Sequence, residues 1–132
     1  MRLSDLVQES AASRHGRAVK SLGDGVMLHF REPGEAVKAA LELVEATPKA
    51  SLPPARVGIT SGPVVFRDGD YFGRAVNMAS RITDYARPSE VLLSEAVAEL
   101  GAPAGTVFEE LGVVELKGIP EPARLFRAVR AT

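Results

Sequence analysis

The sequence predicts a single α+β domain over residues 1–132, with a mostly antiparallel sheet. Three observations carry this. Helical and strand patterns mix along the chain without regular strand–helix–strand alternation. Two pairs of apolar runs are each joined by a short glycine-containing turn, which reads as two β-hairpins. The C-terminal part is rich in short β-forming runs. A doubly wound parallel sheet would need crossover helices between its strands, and the pattern lacks them.

Leu3, Leu6, Val7 and Ala11 recur at helical spacing, with Ser4 as N-cap and Gly16 as the stop. Residues 17–22 and 26–30 are apolar runs around Gly23-Asp24-Gly25, the first hairpin. Residues 35–46 read as a helix whose core stripe is Ala36, Val37, Ala40, Leu41 and Val44. Pro48 and Pro53-Pro54 bracket a linker. Strands follow at residues 56–60 and 63–66, joined at Ser61-Gly62, and Asp68-Gly69-Asp70 closes the second. A helix covers residues 73–85, with Ala75, Val76, Ala79, Ile82 and Ala86 as its apolar face. Val91-Leu92-Leu93 is a short strand, and Ser94 begins another helix with Glu95 in its first turn. The tail holds strands at residues 107–109, 113–116 and 125–129.

Composition narrows the chemistry. Of 132 residues, 45% are hydrophobic and the formal net charge is −1, so the chain can bury a core and does not call for nucleic acid. No apolar run approaches the roughly 20 residues of a transmembrane helix. Residues 1–5 lack the apolar stretch of a signal peptide, which points to the cytoplasm. With no cysteine, thiolate metal sites and cysteine nucleophiles are excluded, and His15 and His29 alone make a histidine-rich metal site improbable. There is no internal repeat, no Walker-type phosphate loop and no Gly-x-Ser-x-Gly elbow.

Three local patterns could carry chemistry. Lys20 ends a strand and Asp24 sits in the tight turn after it. Hard cations take carboxylate oxygens, though local turn propensity alone would also explain Asp24. Asn77 and Arg81 lie four residues apart on one helix and share a face. An amide beside a guanidinium can grip a sugar oxygen and a phosphate, and an ordinary solvated helix face looks the same. Asp68-Gly69-Asp70-Tyr71-Phe72-Gly73 leads into that helix, where acidic residues also suit a helix start. Glu109-Glu110 reads as a solvated pair.

Taken in order, these segments resemble the class III nucleotidyl cyclase catalytic domain. The matching stretches are residues 19–27 (Val19 to Met27), 56–64 (Arg56 to Val64), 70–81 (Asp70 to Arg81) and 116–122 (Leu116 to Pro122). The resemblance implies a ferredoxin-like (βαββαβ-type) fold and a head-to-tail homodimer with two composite sites. It implies that Lys20 and Asp70 read adenine: an ammonium donates to N1 and a carboxylate accepts from the exocyclic amine. Guanine presents O6 and N1–H instead, so the pair favours ATP. Asp24 matches one of the family's two metal aspartates, for Mg²⁺ or Mn²⁺. Asn77 would orient the ribose and Arg81 would stabilise phosphate charge during ring closure. Lys117 would lie near the triphosphate. The reaction implied is attack of the ATP 3′-hydroxyl on the α-phosphorus, giving cyclic AMP and pyrophosphate.

One departure matters. The family's first metal aspartate lies in a Phe-x-Asp-Leu/Ile-Val-Gly motif on a strand before the first helix. Leu3-Ser4-Asp5-Leu6-Val7 only echoes it, and its spacing to Asp24 is too short for the strand exit and the helix together. The expectation is an N-terminally incomplete domain that lacks one metal ligand and its first central strand. The flanking strands would then pair directly, or a partner chain would fill the gap. The competing reading is a non-catalytic cyclase-like module that dimerises or binds nucleotide. A diguanylate cyclase relative is disfavoured, because Leu22-Gly23-Asp24-Gly25 stands where a Gly-Gly-Asp/Glu-Glu-Phe hairpin would be.

Overall fold

The computed structural model describes residues 7, 9, 17–22, 25–30, 32–61, 65–67 and 70–131, of which 17–22, 25–29, 65–67 and 70–72 are described by backbone course only. Val7 and Glu9 are helical and Val7 is buried, in line with the expected first helix. The rest of that segment lies outside the described residues.

The strands of the first hairpin pair as expected. β1 (Arg17–Leu22) pairs antiparallel with β2 (Gly25–His29), from Arg17 opposite His29 to Leu22 opposite Gly25, with an irregularity between Ala18 and Lys20. α1 (Pro33–Lys49) buries Val37, Ala40, Leu41 and Val44, the expected stripe, together with Ala39 and Thr47. It is longer at both ends than its periodicity indicates. Pro33 sits at the helix start, where its missing N–H would have no partner anyway. Pro48 lies inside the last turn rather than in a linker. The chain that follows is not free either: the Thr47 carbonyl accepts from Leu52 N at 2.9 Å, and Thr47 Oγ1 accepts from Ala55 N at 3.3 Å.

β3 (Val57–Ile59) runs parallel to β6 (Val91–Ser94). β8 (Ala123–Arg130) pairs antiparallel with β6 on one side and β7 (Thr106–Val114) on the other, giving the order β3-β6-β8-β7. β7 is one strand, not the two expected. A bulge at Leu111, between Glu110 and Gly112, interrupts its alternation. β4 (Val65–Arg67) and β5 (Asp70–Phe72) make a second short hairpin, not the one expected between residues 56–60 and 63–66, because β3 pairs with β6 instead. Asp70 reads as a stop in the sequence because Asp and Gly favour turns, yet Asp70 pairs back with Arg67. α2 (Arg74–Tyr85) and α3 (Glu95–Glu99) complete the elements. α3 is capped by Ser94, whose hydroxyl accepts from Val97 N at 3.4 Å.

The sheet is thus mostly antiparallel within an α+β chain, as expected. Among the described residues the two hairpins are hydrogen-bonded to no strand of the four-stranded sheet, so the direct pairing of flanking strands anticipated above is not observed there.

Helices cover both sheet faces. Val37, Leu41 and Val44 of α1 and Val97 of α3 pack with Ile59, Val91 and Leu93 on one side. Ile82 of α2 and Ala86 at its C-cap pack with Leu92, Leu125 and Leu116 on the other. Val91, Leu92 and Leu93 are all buried, which is why β6 is an unbroken apolar run rather than an alternating one. No helix among the described residues is long and apolar enough to cross a membrane.

Candidate active site

Helix α2 is the scaffold of the site, and β3 sets where it lies. A Cβ at Gly58 would stand 2.5 Å from Thr83 N and 2.7 Å from Ala79 O, so the helix rests on bare strand backbone. One residue past β3, Thr60 Oγ1 donates to Ala75 O at 2.7 Å. Gly73 occupies the N-cap position with no side-chain cap, and the first turn holds no acidic residue. Asp70 does not occupy the N-cap position. It stands on β5 opposite Arg67, three residues ahead of the Gly73 that opens α2.

Asn77 projects from α2 into solvent. Arg81, one turn on, is only partly exposed, and its Nε is buried with no hydrogen-bond partner among the described residues. Nη1 stands 3.8 Å from Asp84 Oδ2, an ion pair too long for a hydrogen bond. The guanidinium lies against the turn between β7 and β8: a Cβ on Gly118 would be 3.4 Å from Nε, 3.5 Å from Nη2 and 3.6 Å from Cζ. That turn is closed by Ile119 N donating to Leu116 O at 3.1 Å. Leu116 shares the apolar cluster of Ile82, and Ile119 packs against it, so the core fixes the turn beside Arg81. Lys117, exposed, is carried on the same turn.

The structure therefore brings Asn77, Arg81 and the Lys117 turn to one side of α2. Lys20 lies on β1 opposite Met27, and for it, as for Asp70, only the backbone is described. Asp24 lies outside the described residues. Among the described residues no three metal-binding side chains converge. Glu109 and Glu110 are not a catalytic dyad; they point to different arginines, Arg127 at 3.6 Å and Arg124 at 2.9 Å. Sequence reasoning missed Gly58, Thr60 and Gly118. A glycine inside a strand pattern, as at Gly58, does signal close backbone approach. Nothing local marks the other two.

Residues 2–127 match the family described as the adenylate and guanylate cyclase catalytic domain. The chain belongs to that family. Over 117 residues this cyclase domain is 42% identical to a pH-sensitive adenylate cyclase of Mycobacterium tuberculosis, covering 85% of this chain and 30% of that protein. Over 89 residues it is 46% identical to an adenylate cyclase of Streptomyces coelicolor, covering 67% of this chain and 23% of that one. The domain thus spans under a third of either relative. Among solved structures, an adenylate/guanylate cyclase/hydrolase from Silicibacter pomeroyi superimposes with a TM-score of 0.83 at 29% identity, over 98% of this chain and 81% of that chain. The mixed fold of four-stranded sheet and helices is the cyclase fold.

Proposed function

We propose that this domain converts ATP to 3′,5′-cyclic AMP and pyrophosphate, working in the cytoplasm as a head-to-tail homodimer. The observation that carries the reading is Arg81: a guanidinium one turn from Asn77, packed on the Lys117–Gly118 turn, its Nε buried with no acceptor among the described residues. The relatives named as adenylate cyclases support adenine over guanine.

In the reaction a bond forms between O3′ and the α-phosphorus. The bond from that phosphorus to the bridging oxygen breaks, pyrophosphate leaves and the hydroxyl proton passes to water. Arg81 meets the charge that develops on the phosphate oxygens, because a fixed fork of donors costs little reorganisation. Asn77 holds the ribose so that O3′ is aimed at phosphorus. Lys117 faces the triphosphate. Lys20 and Asp70 select adenine.

Asp24 offers hard carboxylate oxygens of the kind Mg²⁺ or Mn²⁺ takes. Such ions, when bound, neutralise the triphosphate and make the 3′-hydroxyl more acidic.

The test is cyclic AMP formation from ATP with Mn²⁺ by residues 1–132. Turnover that Asp24→Ala abolishes supports the reading. Nucleotide binding with no turnover overturns it in favour of a non-catalytic cyclase-like module.

A further inference from the structure

Helix α2 has two working sides. Ala75, Ala79 and Thr83, spaced by four, form one ridge, and it is this ridge that meets β3: Thr60 Oγ1 bonds Ala75 O, while the bare face of Gly58 meets Ala79 O and Thr83 N. Asn77 and Arg81 each lie two residues beyond a member of that ridge. Two residues turn a helix by about 200°, so the pair stands on the far side of α2 from β3. Gly58 and Thr60 are themselves two residues apart, on the same side of the strand. One face of β3 thus sets the distance of α2 from the sheet at Gly58 and its lengthwise position at Thr60.

We infer that Thr60 and Gly58 are positioning residues for the active site, acting through the placement of α2. The inference rests on the cyclase reading only for its kinetic consequence. The hydroxyl of Thr60 is the only polar side-chain group of these two residues, and its 2.7 Å bond reaches the first turn of the helix, four residues before the ridge position that precedes Arg81. At Gly58 two of the three crowding atoms, Thr83 N and Ala79 O, are helix backbone and the third is Thr83 Oγ1, so turning that side chain cannot clear the space; the helix itself must move. Both residues touch neither nucleotide nor metal in the proposed reaction.

The experiment compares Thr60→Val, which removes the hydroxyl at nearly constant volume, with Thr60→Ser, which restores it. Gly58→Ala is the second lever. Val44→Ala, in the cluster on the opposite sheet face, supplies a destabilised control. Nitrogen-15 NMR follows the Asn77 side-chain amide and the Arg81 Nε–H, assigned by their loss in Asn77→Ala and Arg81→Lys. Both signals are expected to shift in Thr60→Val and in Gly58→Ala, and to stay in place in Thr60→Ser and Val44→Ala. In turnover, Thr60→Val is expected to lower kcat by roughly 10- to 100-fold with KM for ATP changed far less. That loss should vanish in an Asn77→Ala/Arg81→Ala background.

Unmoved NMR signals in Thr60→Val overturn the inference, as does a kcat loss of undiminished size in the double background. If the unaltered domain makes no cyclic AMP, the proposed reaction falls while the NMR comparison still decides the positioning. If Gly58→Ala does not fold, Thr60→Val alone decides it.

Discussion

The guanidinium of Arg81 lies on the bare backbone of Gly118, with Nε, Nη2 and Cζ all within 3.6 Å of where a Cβ would stand. Gly118 has φ of +79°, a backbone state that L side chains resist. Gly105 has the same φ but open space around it.

The two glycines make a matched pair. Gly105→Ala should cost about 1–2 kcal/mol from backbone strain alone. Gly118→Ala should cost about the same, because its methyl meets the guanidinium at ordinary contact distance. Gly118→Val adds branches beyond that methyl and should cost more than Gly105→Val. Urea denaturation of the four variants measures the difference, and equal losses for the two valines would mean that Arg81 yields freely.

Arg81 should be irreplaceable by lysine. Its fork presents several donors in a fixed plane, whereas an ammonium is a point charge on a flexible stem. Arg81→Lys and Arg81→Ala are both expected to lower kcat by roughly 10²–10³-fold, with a smaller effect on KM. Steady-state cyclic AMP formation checks this. Lysine activity close to that of arginine would contradict the role assigned to the fork.

Base choice should follow Lys20 and Asp70. Lys20→Glu combined with Asp70→Gly removes the donor to adenine N1 and the acceptor for the exocyclic amine. ATP use should fall and GTP use should rise, read from cyclic AMP and cyclic GMP formed in a mixture of both nucleotides. An unchanged ratio would remove the pair from the base-reading role.

A surface ion pair gives a pH-dependent handle on stability. Arg130 donates from Nε and Nη2 to both carboxylate oxygens of Glu45, at 3.1 and 2.8 Å. These hydrogen bonds hold the Glu45 carboxyl below its ordinary pKa. A carboxyl depressed in the folded state contributes its full stabilisation above its unfolded pKa and loses it as pH falls through the folded one. Both side chains are about half exposed, so the contribution is only about 0.2–1 kcal/mol and salt weakens it. Glu45→Gln should therefore lower Tm slightly near neutrality and hardly at all once the carboxyl is protonated. A deficit that persisted in acid would show that packing, not charge, is lost.

Much of this was legible in the chain because single elements carry their own period. The stripe of α1 and the apolar run of β6 announced themselves, and so did the four-residue spacing of Asn77 and Arg81. What escaped depended on neighbours. Asp68-Gly69-Asp70 reads as the close of a strand, and only pairing with Arg67 reveals that Asp70 begins another. Residues 107–109 and 113–116 read as separate strands, whereas β8 holds Thr106–Val114 in one ladder across the Leu111 bulge. Pro48 reads as a helix end, yet a buried Thr47 beside it anchors the next loop and keeps the last turn wound. The packing of Arg81 on Gly118 joins segments far apart in the chain, and no local pattern encodes it.

Because Val91, Leu92 and Leu93 alternate between the two apolar layers, β6 is common property of both. Neither layer can loosen without unsettling the strand that the other needs. Opening is therefore cooperative across the sheet, and a nucleotide that grips α2 should slow amide exchange in α1, on the side that it never touches.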